Sequence, residues 1–257
     1  MKKMLAVCAA CMVAGLASAD VTSDNIVGFM KASTTAESAS VGAMFVTVGA
    51  DVWRLGDLKA EGMEPGVDSI QFLDTNTAST YIQATYISAE IAAEEGDPDL
   101  EGWWDMNDVG GTRLDDTVFE KGTAFLCAFA GSEVTFTFAG EVLAGEVEID
   151  VSGMPSPFIC NPIPVDLTLG QIKAIDFEPG LDSIQFLDVD SATTYIQATY
   201  ISAEFAAEEG DADLEGWWDL NDIGGTSLND TPVPAGQAFL GAIESGNAVK
   251  FVFPAAY

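Results

Sequence analysis

A tandem duplication constrains what this chain can fold into. Residues 65–112 match residues 179–226 at a constant offset of 114, and 39 of these 48 positions are identical. The ungapped match extends from 55–129 to 169–243 and continues more weakly beyond both ends. A unit of about 115 residues is the size of an independently folding domain and is too long for a solenoid repeat. We therefore expect two copies of one domain, at 20–139 and 140–257.

Within each copy the apolar residues alternate with polar ones, which is typical of half-buried antiparallel strands. Val134, Phe136 and Phe138 alternate with threonines, and Val147 begins a second such run. Further strands are predicted at 25–32, 44–48, 80–88, 103–106 and 123–130, with one short helix at 89–95. Short strands separated by turn residues predict an all-β fold of two tandem antiparallel β-sandwich-like domains, with partly closed barrels as the alternative.

The first 19 residues have the features of a secretory signal peptide. Lys2 and Lys3 precede an apolar run, and Ala17-Ser18-Ala19 offers the small residues that a signal peptidase accepts. The run of about a dozen apolar residues is too short to cross a bilayer comfortably. We expect cleavage after Ala19, a secreted or cell-envelope location, and no transmembrane segment in the mature protein.

The chain is strongly acidic, with 41 Asp and Glu against 9 Lys and Arg and a formal net charge of −32. An acidic surface repels the phosphate backbone, so nucleic acid is excluded as a partner. Because 48% of the residues are hydrophobic, the acidity belongs to a folded protein and not to a disordered tail.

The second copy carries a set of short motifs in a fixed order. They are Phe158-Ile159-Cys160-Asn161-Pro162, the run from Leu167 to Ile172, Asp182-Ser183-Ile184-Gln185, Thr194-Tyr195, Gly216-Trp217 and Pro234-Ala235-Gly236-Gln237-Ala238-Phe239. This order resembles the repeated β modules of secreted and surface proteins in Verrucomicrobia-related and Bacteroidetes bacteria, and residues 25–29 are similar to their usual first strand. The first copy has Thr47-Val48 in place of the Asn-Pro pair. The resemblance implies an extracellular or envelope module and carries no catalytic residues.

The composition excludes several chemistries. The chain has no histidine, which removes Ser-His-Asp and Cys-His nucleophile systems and the usual catalytic zinc sites. After signal cleavage only Cys127 and Cys160 are left, and neither copy holds an internal pair. They are a possible disulfide between the copies, or two buried thiols. Paired carboxylates could still support glycoside hydrolysis, although no acid is singled out by its surroundings.

An acidic segment repeated in both copies predicts a calcium site. Its oxygen-bearing residues follow the order of an EF-hand-type loop, with glycine at position six, although position twelve is Asp instead of Glu. The candidate metal ligands are Asp97, Asp99, Glu101, Asp105, Asp108, Asp211, Asp213, Glu215, Asp219 and Asp222. The alternative is an acidic surface loop before a Trp-containing strand.

Adjacent tryptophans motivate a second site hypothesis. Neighbours on a strand point to opposite faces, so one indole of Trp103-Trp104 and one of Trp217-Trp218 should lie on the outer face. An exposed indole is a stacking platform for a sugar ring, which makes Trp104 and Trp218 candidate ligand-stacking residues. The alternative is that the short helix or the other module covers them.

Together these features predict a secreted or envelope-associated, non-catalytic structural or adhesion protein that binds an extracellular protein or glycan or associates with itself. A carbohydrate-binding module is the alternative, followed by a carboxylate-dependent glycoside hydrolase. Ca²⁺ is the only cofactor that the sequence suggests.

Overall fold

The computed structural model describes residues 27–34, 40–42, 45–46, 50, 52–74, 77, 80–131, 133–143, 145–187 and 195–256. The signal peptide predicted at 1–19 lies outside the described residues.

The predicted all-β fold is confirmed, because antiparallel sheets make up both copies and none of the described sheets closes into a barrel. The strands of the first copy are β1 (Val27–Thr34), β2 (Ser40–Gly42), β3 (Phe45–Val46), β4 (Val52–Arg54), β5 (Leu58–Glu61), β6 (Ser69–Leu73), β7 (Tyr81–Ile87), β8 (Gly102–Asp105), β9 (Val118–Glu120), β10 (Ala124–Ala128) and β11 (Val134–Val142). The strands of the second copy are β12 (Val147–Asp150), β13 (Phe158–Cys160), β14 (Leu167–Thr168), β15 (Lys173–Ile175), β16 (Ser183–Leu187), β17 (Tyr195–Ile201), β18 (Gly216–Asp219), β19 (Pro232–Val233), β20 (Ala238–Ala242) and β21 (Lys250–Phe253).

Two short α-helices and four 3₁₀ turns complete the described elements. They are α1 (Ala89–Glu94), α2 (Ala203–Glu208), Leu55–Asp57, Pro98–Leu100, Leu169–Gln171 and Ala212–Leu214. Ser88 begins α1 by accepting a hydrogen bond from the Ile91 N–H, and Ser202 does the same for α2. None of the helices in the described ranges is long and apolar enough to cross a membrane.

Each copy is a sandwich of two main sheets. In the first copy the order β2-β10-β6-β7-β8 faces a sheet in which β11 pairs with β1, β3 and β5. In the second copy β13-β20-β16-β17-β18 faces β12-β21-β15. A two-stranded ladder lies beside each pair, β4-β9 in one copy and β14-β19 in the other. The repeated sequence therefore folds into a repeated architecture.

The alternating residues fill the space between the sheets. Val134, Phe136 and Phe138 of β11 are fully buried, as the period of two predicts. Phe136 packs on Phe125 of the facing sheet with ring centroids 5.3 Å apart. In the second copy Phe251 stacks on Trp217 across the sandwich, at 6.4 Å. These contacts between sheets are what make each copy one layered domain.

The domain boundary lies slightly later than predicted. Strand β11 runs past residue 139 to Val142, and its last residues pair with β3 of the first copy. The second copy begins its own pairing at Val147, which lies opposite Phe253. The segment 143–146 is therefore the connection between the two domains.

The register also corrects the alignment of the two copies near Cys160. In β13, Ile159 lies opposite Phe239 and Cys160 opposite Ala238. In β2, Val41 lies opposite Phe125 and Gly42 opposite Ala124. Since Phe239 is the repeat of Phe125, the counterpart of Cys160 is Gly42, whereas a constant offset assigns it to Val46.

The two sandwiches meet at the edges of their five-stranded sheets. Strand β10 contacts β13, and its repeat β20 contacts β2, the repeat of β13. Such reciprocal contacts are the mark of an isologous, two-fold-like interface. The backbone N–H of Cys160 donates to the Gly122 carbonyl at 2.8 Å, and Thr123 forms a bridge to Ile159. The junction therefore extends β pairing from one copy to the other.

Small residues allow this close approach. Ala124 and its repeat Ala238 are both fully buried and form one cluster with Cys160. Gly122 has φ +74°, and a Cβ there would lie 2.1 Å from Cδ1 of Ile149 in the second copy. Tyr81 closes the outer side by donating to the Ser156 carbonyl at 3.0 Å and packing edge-on against Phe158. A larger residue at the centre would force the domains apart.

Candidate functional site

The acidic residues of the predicted calcium loop do not converge. The 3₁₀ turn Pro98–Leu100 and strand β8 occupy the segment, and an extended strand separates residues that a calcium loop must bring together. Among the described residues, no group of three or more acidic or cysteine side chains could hold a metal ion. The EF-hand-type geometry is therefore wrong, and calcium binding of any other kind stays a prediction.

Three of the five acids in the first copy instead stabilise local turns. Asp97 accepts from the Asp99 N–H and begins the 3₁₀ turn. Asp105 accepts from the Asn107 N–H at 2.8 Å, and Asp108 accepts from the Thr112 hydroxyl at 2.7 Å. These are turn contacts of the kind that Asp commonly makes.

The second copy repeats these contacts. Asp211 accepts from the Asp213 N–H, Asp219 from the Asn221 N–H and Asp222 from the Thr226 hydroxyl. In both copies the hydrogen bond between this last aspartate and the threonine four residues later encloses a Gly-Gly turn. Six of the ten acidic residues predicted as ligands are therefore accounted for by the turns that they hold.

The prediction that Trp104 and Trp218 are stacking platforms is wrong, because both indoles are buried, at 7% and 8% exposure. Helix α1 and the following turn cover Trp104, whose cluster contains Ile87 and Ala92. Its indole N–H donates to the Leu100 carbonyl at 2.8 Å. In the second copy Trp218 donates to Leu214 at 2.7 Å. The short helices thus form a lid over the outer face of β8 and β18.

The predicted disulfide between Cys127 and Cys160 is not formed. Residues 125 and 127 of β10 face the core of the first sandwich, whereas Ala124 faces the junction that contains Cys160. The two thiols therefore lie on opposite sides of one strand. Burial raises the pKa of both thiols far above the ordinary value, so neither is a reactive thiolate.

Asn161 has a structural role that the Asn-Pro motif did not disclose. Its side chain is fully buried, and its amide donates to the carbonyls of Val165, Val233 and Pro234 at 3.1–3.2 Å. Its Oδ1 accepts from the Ile163 N–H at 3.0 Å. This side chain ties the loop after β13 to the turn before β20.

A polar cluster repeated in both copies is the best candidate site, and the sequence predictions missed two of its members. In the first copy it comprises Lys59 on β5, Tyr86 on β7 and Glu101 before β8. Lys59 pairs with Glu101 at 2.9 Å, and the Tyr86 hydroxyl donates to the same carboxylate at 3.3 Å. The sequence does contain a signal for this cluster. The chain has few cationic residues, yet Lys59 and Lys173 occupy equivalent positions in the two copies, 114 residues apart.

Charge and burial shift the pKa values of this cluster. The Lys59 ammonium holds the pKa of Glu101 below its ordinary value, and the hydrogen bond to Glu101 raises the pKa of Lys59. Burial raises the pKa of Tyr86. A lowered carboxyl pKa is the opposite of what a general acid needs, so Glu101 does not resemble the acid of a glycoside hydrolase.

Cavities of ligand size lie beside the same cluster in both copies. A groove of about 480 Å³ runs along Lys59, Tyr86 and α1, and one of about 570 Å³ runs along Lys173, Tyr200 and Glu215. A third cavity, at the junction, measures only about 80 Å³ and has room for a few waters. Ligand sites of small molecules are commonly 300–1,000 Å³, so the two grooves are the candidate binding sites.

No protein-family model, curated protein or solved structure matches this chain.

Proposed function

We propose that the chain is an exported, non-catalytic structural or adhesion protein of the cell surface, in which the two modules act as one rigid body. The observation that carries this proposal is the junction between the sandwiches. Domains of one chain ordinarily move relative to each other unless their interface is well packed. Here a strand-to-strand hydrogen bond, a buried Ala-Ala contact and Tyr81 all join the copies. A fixed pair of similar surfaces suits a structural or adhesive role.

The export part of the proposal depends on the first 19 residues and on the charge. A net charge of −32 keeps such a surface soluble, and screening by the surrounding salt relieves its self-repulsion. Intact-mass measurement of protein recovered from cells tests this directly. A mature form beginning at Asp20 supports export, and cytoplasmic protein that retains Met1 to Ala19 contradicts it.

The rigidity part is tested with a matched pair of glycine variants. Gly122→Val puts a side chain into Ile149 across the junction, whereas Gly153→Val meets nothing within 4 Å. Their φ values are +74° and +77°, so the backbone strain is the same. We expect Gly122→Val alone to split the calorimetric unfolding into two transitions and to increase the radius of gyration in X-ray scattering.

The functional consequence is measured as binding of labelled mature protein to isolated cell envelopes. Wild type and Gly153→Val should sediment with the envelopes, and Gly122→Val should do so less. Equal binding by wild type and both variants would contradict the proposal that adhesion requires the rigid arrangement of the two modules. Release of reducing sugars from polysaccharide by the wild type would contradict the non-catalytic assignment and favour the hydrolase alternative.

A further inference from the structure

Three polar residues that line the groove of the second module differ in their contacts from their counterparts in the first module. Tyr200 lines it and is only 6% exposed, and no hydrogen bond to its hydroxyl is present within the described ranges. In the first module the equivalent hydroxyl of Tyr86 donates to Glu101. Burial raises the pKa of Tyr200, so the hydroxyl is protonated at neutral pH and can donate. A hydroxyl beside a groove that has no protein partner in the described ranges can donate to a bound ligand.

The neighbouring charges of the second module are also separated. Lys59 and Glu101 form an ion pair in the first module. In the described part of the second module, no ion pair joins Lys173 to Glu215. Both residues line the groove and are free to contact a ligand.

Two substitutions between the copies accompany the difference. In the first copy the Arg113 guanidinium donates to the carbonyls of Asp99 and Glu101 at 2.7 and 2.5 Å and pairs with the Asp115 carboxylate. Ser227 takes the place of Arg113, since it makes the same bridge to Trp218 that Arg113 makes to Trp104. Asn229 takes the place of Asp115. The first copy thus satisfies these acceptors with its own arginine, and the second copy does not.

The groove of the second copy offers both donors and acceptors. Oδ1 of Asn229 is used by the Trp217 N–H at 2.8 Å, which leaves the amide nitrogen as a donor. Lys173 and Tyr200 are further donors, and the carboxylates of Asp213, Glu215 and Asp230 are acceptors. Each hydroxyl of a sugar both donates and accepts, so neighbouring hydroxyls fit this alternation. Three carboxylates against one ammonium disfavour an anionic ligand, and the N–H donors of Lys173 and Asn229 need acceptor oxygens, which a sugar supplies.

We propose that the groove formed by Lys173, Tyr200, Glu215 and Asn229 binds a neutral saccharide. This site lies beside β18 and not on the tryptophans that the sequence suggested. It is additional to the structural role and stands whether or not the protein is exported.

The test uses the mature full-length chain on an array of neutral oligosaccharides, followed by calorimetric titration of the sugars that bind. Tyr200→Phe removes only the hydroxyl and should weaken binding about five- to tenfold, the value of one neutral hydrogen bond. Tyr195→Phe is the matched control, because Tyr195 lies on the same strand, is half exposed and does not line the groove, and it should leave the affinity unchanged. The double variant Ser227→Arg, Asn229→Asp rebuilds the arginine contact of the first module and should abolish binding.

Melting curves for every variant establish that each is folded. No binding of any neutral sugar at millimolar concentration overturns the proposal, and so does binding only to charged glycans. Equal loss of affinity in Tyr195→Phe and Tyr200→Phe, or full affinity in the double variant, would also overturn the proposal.

Discussion

Asn161→Ala should lower the stability of the second module by about 3 kcal/mol. Asn161 is fully buried and contacts three carbonyls and one N–H. Its amide has two hydrogens, so it donates to two of the three carbonyls at any one time. Together with the bond that Oδ1 accepts from Ile163, the side chain makes three hydrogen bonds. A hydrogen bond contributes roughly 1 kcal/mol net, and alanine leaves the buried Ile163 N–H without its partner.

A loss of about 3 kcal/mol corresponds to a fall of roughly 6–12 °C in the melting temperature for a protein of this size. Differential scanning calorimetry and urea denaturation followed by tryptophan fluorescence measure it. Asn221→Ala is the control, because Asn221 is exposed and should change stability by less than about 0.5 kcal/mol. Equal stability of the two variants would refute the clamp role of Asn161.

Three further predictions follow from the described contacts. Cys127 and Cys160 should not react with a thiol reagent in the native mature protein, and two sulfhydryls should be titrated in denaturant. Titration of no sulfhydryl in denaturant would show that the two cysteines form a disulfide. Because the acidic residues in the described ranges form no group that could hold a metal ion, Ca²⁺ and Mg²⁺ at matched ionic strength should change the melting temperature equally, and a saturable rise with Ca²⁺ alone would show a specific site. The Lys59–Glu101 pair lowers the pKa of Glu101 from 4.5 and raises that of Lys59 from 10.5. The ion pair should therefore make a small contribution to the free energy of unfolding. This contribution should be lost when the pH falls through the folded-state pKa of Glu101 and when it rises through the folded-state pKa of Lys59. The stability difference between wild type and Lys59→Met should be present between these limits, at about 0.5 kcal/mol, and a difference independent of pH would contradict the pairing.

The fold was largely predictable because strand periodicity is a local property. Val134, Phe136 and Phe138 mark one buried face by themselves, and the structure confirms them. The site predictions were less successful for a physical reason. Whether Trp104 is exposed depends on where α1 packs, and whether Cys127 meets Cys160 depends on which face of β10 each occupies. Neither is a property of the residue or its neighbours in sequence.

The sequence by itself determined the duplication, the all-β class and the acidity, because repeats, period-two alternation and charge can be counted along the chain. Tertiary structure decided how the copies meet and what their shared residues do. Ala124 and Ala238 are identical by duplication, yet only the edge-to-edge pairing brings them into one cluster. Tyr86 and Tyr200 are likewise identical by duplication, yet only the folded structure shows that Tyr86 donates to Glu101 and that Tyr200 makes no such bond in the described ranges. Both copies therefore have a groove beside these residues, and they differ in whether the tyrosine hydroxyl donates to the glutamate.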